Sequence, residues 1–210
     1  MADATVAADG TRTKTFEYTL SEDLPAGVSA QAPMLDGITY DTSTHRLSVT
    51  VTDDGTGALS TSAVYDDEPN VSAVSFANAY DATGSFILEC EKNIEGRMFS
   101  ASDSFRFVVS GECANDASVQ APLPAQTSVN VTPEPGTSFV RCSFQAIPFT
   151  LADVDNTYVY TVVEQADMDG VTNDANVHTV TVQVSDNGDG TLSVTPTYYV
   201  DDQEVSQVEF

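Results

Sequence analysis

The chain is short of positive charge. Its 210 residues carry 7 Lys and Arg against 32 Asp and Glu, a net charge of −25. With no basic footprint, neither nucleic acid nor an anionic membrane is an expected partner. Such acidity keeps a surface protein soluble and self-repelling. No apolar run approaches the roughly 20 residues that a membrane-spanning helix needs. The opening MADATVAADG has neither the cationic start nor the apolar stretch of a signal peptide, and no wall-sorting motif closes the chain. If the protein is exported, the expectation is an excised piece of it. Missing too are the G-x-S-x-G elbow, any Ser/His/Asp arrangement, the G-x-G-x-x-G turn and the P-loop. No cofactor is expected.

Cysteine is scarce and odd in number, at three, and no C-x-x-C spacing suggests zinc. Cys90 reads as a small buried hydrophobe. Cys113 and Cys142 flank a Pro/Ala/Ser-rich stretch and are candidates to pair across it, although pairing is not readable from spacing. The DNGDGT run at 186–191 superficially resembles a calcium loop. It lacks the ligand spacing and closing glutamate of an EF-hand, so it reads as a turn, and no metal site is expected.

What is present is strand composition: Val, Thr, Ser and Asp abound, while Leu and Lys are sparse. The patterning predicts strands at 14–21, 46–52, 58–65, 72–79, 85–92, 103–109, 138–146, 156–163, 177–184 and 191–200. Between them, 111–136 with its four prolines reads as an irregular excursion. DDGTG at 53–57 and DNGDG at 186–190 are hairpin turns. Many short strands with turns between them predict an all-β chain of sandwich type, and the length suits two domains of roughly 100 residues or one larger one.

Three residues sit oddly in this pattern. In SFILECEKNIEGR at 85–97, Phe86, Leu88, Cys90, Lys92 and Ile94 share one parity, and residues of one parity face one side of a sheet. One of only two lysines in the chain is thus aimed at a core, where a cation is costly and the neutral amine, a nucleophile, is favoured. In TYVYTVVE at 157–164 the inward parity is Tyr158, Tyr160, Val162, Glu164, and in VSFANAY at 74–80 it is Val74, Phe76, Asn78, Tyr80. A lysine amine, a buried carboxyl that shuttles protons and a carboxamide are the parts of a side-chain amide-forming centre. Parity alone favours the plainer reading: a snorkelling Lys92, a Glu164 at a strand end and an Asn78 in a turn.

The combination K-x-x-x-G-R at 92–97, Y-x-Y-x-V-x-E at 158–164 and F-x-N-x-Y at 76–80 resembles the streptococcal-type pilin isopeptide-linkage domains. These are immunoglobulin-like modules of Gram-positive pilins and surface adhesins. The resemblance implies that Lys92 and Glu164 belong to one bond-forming site, and Asn78 with Glu22 to another.

An internal repeat organises the chain. FEYTLSE at 16–22 aligns with YVYTVVE at 158–164, and the segment from Gly37 to Asp67 aligns with that from Gly170 to Asp202. His45 and His178 fall at equivalent positions, so a structural role is expected of both. The expected organisation is immunoglobulin-like β-sandwich modules in tandem, the first one partial. Residues 1–81 are the C-terminal half of one isopeptide-type module. Residues 84–210 are a second, stopping at Phe210, the counterpart of Phe76 and two residues short of an Asn78 equivalent. The first and last strands of such a module lie parallel, and parallel neighbours need a long crossover. DATGS at 81–85 is too short for one, so Lys92 is not expected to reach Asn78 within the chain.

The function implied by the resemblance is a structural stalk or shaft module of a pilin or adhesin at the bacterial cell wall. Its partners are neighbouring modules of the same polypeptide and a host surface ligand. Each module is stabilised by a self-made Lys–Asn amide, a single turnover rather than enzymatic catalysis. The alternative is a non-covalent module that binds a host protein or carbohydrate, with 111–136 as its ligand surface. The absence of tryptophan and the inward parity of most Tyr and Phe weigh against it.

Overall fold

The structure, a computed structural model, describes residues 3–165 and 170–210. The chain divides into two compact units, Met1–Tyr80 and Asp81–Phe210. Apart from one 3-10 turn at Leu151–Asp153, the regular structure of the described residues is all β, as the patterning predicts.

The first unit holds β1 (Thr5–Val6), β2 (Arg12–Ser21), β3 (Met34–Leu35), β4 (Ile38–Thr39), β5 (Thr44–Asp53), β6 (Leu59–Tyr65) and β7 (Ala79–Tyr80). The long strands form one antiparallel sheet in the order β1-β2-β5-β6, and β3-β4-β7 make two-residue ladders. The second unit holds β8 (Thr83–Phe86), β9 (Glu89–Asn93), β10 (Phe105–Cys113), β11 (Ser128–Val131), β12 (Phe139–Ser143) and β13 (Ile147–Thr150). It continues with β14 (Thr157–Glu164), β15 (His178–Asp186), β16 (Leu192–Val200), β17 (Gln203–Val205) and β18 (Val208–Glu209). Its large sheet runs β11-β10-β14-β15-β16-β17, and the smaller sheets are β12-β9-β18 and β13-β8.

The core of the second unit is a layer between these sheets. Phe105, Phe107 and Val109 of β10, Tyr158, Tyr160 and Val162 of β14, and Val180, Val182 and Val184 of β15 come from one side. Phe86, Leu88, Ile147, Phe149 and Val208 come from the other. Phe149 and Tyr158 meet across the layer with ring centroids 5.9 Å apart. Period-2 alternation puts every second residue of each strand into this layer, which is why the inward parity of 86, 88, 90 and 92 emerges as a buried row.

The first unit repeats β14-β15-β16 as β2-β5-β6, in the same order and sense. It does not bury what those strands carry: no described residue among 3–80 is buried. Phe16 and Tyr18, the counterparts of Tyr158 and Tyr160, are 40% and 50% exposed.

Several elements differ from the pattern-based expectation. The strand expected at 72–79 pairs only through Ala79–Tyr80, with β4, and Asn78 is exposed rather than on a buried face. In the second unit the counterpart of residues 74–75 is β18, which pairs in parallel with β9. Among the described residues, no strand of the first unit offers 74–78 such a ladder. The strand expected at 85–92 is two, because β8 pairs with β13 and β9 with β12. The excursion at 111–136 is shorter than its prolines suggest. β10 extends to Cys113, and β11 returns to cover the edge of β10. The intervening loop is tied down where the Tyr160 hydroxyl donates to the carbonyl oxygen of Pro122 at 2.9 Å.

The cysteines also pair otherwise. Cys90 and Cys142 form the disulfide, with Cα atoms 5.1 Å apart, and Cys113 is free and buried. The reason is register: Cys142 lies directly opposite Cys90 in the β9–β12 ladder, a separation at which a disulfide forms without moving the backbone. The link joins the lysine strand to its antiparallel neighbour.

Two outcomes follow from this architecture. Replacing Cys90 and Cys142 together by serine is expected to lower unfolding stability by roughly 2–4 kcal/mol, read from denaturant melts; an unchanged midpoint would contradict the link. Amide protons of β5 are expected to exchange far faster than those of β15, since only the latter lies against a buried layer. Equal protection would mean that the first unit buries its sheet in solution.

Candidate functional site

Lys92 is the third inward residue of its strand after Leu88 and Cys90, and it is only 4% exposed. Its Nζ donates to Glu164 Oε2 at 3.0 Å and lies 5.2 Å from the ring centroid of Phe105, a cation–π distance. Glu164 ends the inward row of β14 opposite Phe107, and its side chain is fully buried. Its second oxygen, Oε1, is buried with no hydrogen-bond partner. In a native protein such an atom calls for an explanation.

β18 brings the chain alongside this pair. Phe210 N–H donates to Glu91 O at 2.8 Å and Asn93 N–H to Phe210 O at 2.7 Å. The Phe210 ring packs on His178 at 4.1 Å and on Phe107 at 5.0 Å. A cleft of about 1270 Å³ opens here, with Lys92, Arg97, Asp174 and Phe210 in its wall. His178 is fully buried, and its Nε2 lies 2.9 Å from Asp174 Oδ2. Burial, acting alone, would push the Asp174 carboxyl up. The Asn176 N–H, the His178 bond and the charge of Lys92 outweigh it and hold the group below the usual carboxylate range.

The K-x-x-x-G-R motif closes the lysine strand. Gly96 takes a positive φ of 80°, where a side chain would be strained. Arg97 then grips Asp103 with two nitrogens, at 2.6 and 3.2 Å. Ser100 adds its N–H at 3.0 Å and its hydroxyl at 2.7 Å. The Arg97 guanidinium first, with the Ser100 bonds, holds the Asp103 carboxyl well below the ordinary range.

The first unit holds the other two expected residues. Asn78 Nδ2 donates to Glu22 Oε1 at 2.7 Å, and the Asp41 main-chain N–H donates to Asn78 Oδ1 at 2.8 Å. Glu22 Oε2 is buried with no hydrogen-bond partner. Nearby, His45 stands edge-on to Phe76 with centroids 5.1 Å apart, as His178 stands by Phe210.

Lys92 thus meets Glu164 in one unit, and Asn78 meets Glu22 in the other. The two glutamates occupy equivalent positions in the repeat, and each has one oxygen engaged and the other buried without a partner. Asp41 and Asp174 escaped the sequence reading. Their signal was the shared D-x-x-x-H spacing ahead of His45 and His178. Among the described residues no cluster of metal-ligating side chains occurs, and no helix is long and apolar enough to cross a membrane.

Among known families, the model of the FctA family, described as the Spy0128-like isopeptide containing domain, fits residues 3–81 and again 88–210. No curated protein matches the chain.

The Asp103 contacts make acid stability testable. A depressed folded value stabilises the fold above the unfolded carboxylate range, roughly pH 4, and the contribution is lost as pH falls toward the folded value. The thermal midpoint of Asp103→Asn is expected to lie below that of the parent at pH 7. The gap is expected to narrow on acidification toward pH 2, and a constant gap would contradict the assignment.

Proposed function

The chain belongs to the Spy0128-like isopeptide containing family, a pilin-type structural module, and on that premise we propose that its two units carry complementary parts of one recurring bond-forming centre. In this reading Lys92 and Glu164 form the lysine side of a module spanning 84–210. Asn78 and Glu22 form the asparagine side of a module of which residues 1–81 are the C-terminal half. One observation carries the reading. The oxygen orphaned in Glu164 is one that a carboxamide N–H would occupy, and the oxygen orphaned in Glu22 is one that an ammonium would occupy. Combined through the repeat, the two contacts describe a glutamate that takes a lysine on one oxygen and an asparagine on the other.

The chemistry balances without a cofactor. A proton passes from the Lys92 ammonium to the Glu164 carboxylate along their hydrogen bond, an exchange that a dry site favours because it removes two buried charges. The neutral Nζ attacks the asparagine Cγ, forming the new C–N bond. The second amine proton moves through the glutamate to the departing nitrogen as the old C–N bond breaks. Amine and carboxamide become a secondary amide and ammonia. Burial keeps water from hydrolysing the intermediate.

The amide would join strands already lying side by side. β18 and β9 are parallel and adjacent; β18 is the last strand of the second unit, and β9 follows directly on its first, β8. Tension on the ends of a module loads those strands first. A cross-link closing a loop of about 100 residues removes unfolded-chain entropy worth about 4–5 kcal/mol, and an amide resists reduction. This suits a shaft exported to the bacterial surface and pulled from its ends.

The test completes the second unit. Extending the chain after Phe210 with Ala-Asn-Ala-Tyr, the residues that follow Phe76, is expected to yield a protein lighter by one ammonia. Its thermal midpoint should exceed that of the 210-residue chain, and Lys92→Ala and Glu164→Ala should each abolish the mass loss. A folded extended chain that keeps its full mass would refute the proposal.

A further inference from the structure

A carboxamide under attack needs its carbon held still and its oxygen stabilised as negative charge develops there. In the first unit one residue outside the lysine, glutamate and asparagine motifs meets both needs. The Asp41 N–H donates to Asn78 Oδ1 at 2.8 Å. The Asp41 carboxylate accepts, through Oδ2, the N–H of Ala77, the residue just ahead of Asn78, at 3.2 Å. The carboxylate is itself fixed, since Oδ1 accepts the Ser43 N–H at 2.9 Å. Glu22 takes the opposite, nitrogen side of the carboxamide. The oxygen therefore faces a main-chain donor, and the glutamate faces the nitrogen that must leave.

The repeat puts Asp174 at the same station. It precedes His178 by four residues, as Asp41 precedes His45. Its Oδ1 accepts the Asn176 N–H at 3.0 Å, matching the Ser43 contact. It stands in the wall of the cleft beside Lys92, close enough for that charge to act on it. One difference is informative. Asp174 Oδ2, the counterpart of the oxygen that holds Ala77, is bonded to His178 Nε2 at 2.9 Å. In the first unit the equivalent His45 instead turns its Nδ1 to Asp66 at 2.7 Å. The aspartate oxygen thus has two alternative donors, the main chain ahead of the asparagine or the histidine.

We propose that Asp174, like Asp41 in the first unit, is the positioning residue of the bond-forming centre. Its carboxylate docks the main chain immediately ahead of the reacting asparagine. Its own N–H holds the carboxamide oxygen through the tetrahedral intermediate. His178 occupies the carboxylate until that segment arrives and then releases it. The step is the one already balanced, amine plus carboxamide to amide plus ammonia, with the oxygen retained throughout. This assignment rests on the reading that Lys92 reacts with an asparagine.

The experiment uses the chain extended by Ala-Asn-Ala-Tyr, with ammonia loss followed by intact mass. Asp174→Ala is expected to slow the loss by about tenfold or more. Asp174→Asn, whose side-chain oxygen still accepts an N–H, is expected to stay within a few fold of the parent. Because Ala and Asn are compared at one position, a general loss of structure would not produce the rescue. As a measurement independent of any variant, the Asp174 amide proton is expected to exchange much more slowly in the reacted extended chain than in the 210-residue chain. An Asp174→Ala chain that reacts at the parent rate, Ala and Asn variants that are equally slow, or an Asp174 amide that exchanges equally in both chains would overturn the assignment while leaving the bond-forming reading intact. An extended parent chain that keeps its full mass would overturn both.

Discussion

The buried contact between Lys92 and Glu164 is the constraint on which the second unit depends. Two ionisable side chains taken out of water cost several kcal/mol unless each meets a partner in good geometry. Here the partners are each other, 3.0 Å apart, with the Phe105 ring beside the amine. Holding that distance requires β9 and β14, in opposite layers, to keep both parity and register. A slip of one residue in either would turn its polar group to the solvent. The surroundings serve that requirement. Cys142 ties the lysine strand to β12, β18 lies along its other side, and the Arg97–Asp103 clamp closes the turn that leaves it.

A buried polar group left half satisfied is a liability in a protein that only has to be stable. The same glutamate position carries one buried, orphaned oxygen in each unit, while its other oxygen meets a lysine in one unit and an asparagine in the other; we read that recurrence as an arrangement for a third group. Under the proposed function that third group is a carboxamide. The geometry around Asn78 adds what no motif states: the carboxamide is gripped on its oxygen by a main-chain N–H and on its nitrogen by a carboxylate.

The two units also show what a sandwich layer contributes. The strands β2-β5-β6 and β14-β15-β16 share order, sense and aromatic pattern, yet Tyr160 is fully buried while its counterpart Tyr18 is half exposed. The sheet is the same local structure in both. What differs is the facing layer of β8, β9, β13 and β18, which brings the lysine and removes water from the site.

Local chemistry alone determined much of this. Strand periodicity of two is a property of the backbone, so the inward rows of β9 and β14, and with them the placement of Lys92 and Glu164, were legible before any fold was known. The all-β class and the internal repeat were legible for the same reason. Tertiary structure decided the rest. Cys90 pairs with Cys142 because a ladder puts them opposite each other, and residue spacing does not encode which strands are neighbours. Asn78 is exposed, and the strand expected around it shrinks to two residues, because a strand needs a partner as well as a pattern. Asp41 holds Asn78 and Ala77 through its main-chain N–H and its carboxylate, and only the packed fold decides which groups so distant in sequence come within hydrogen-bond reach.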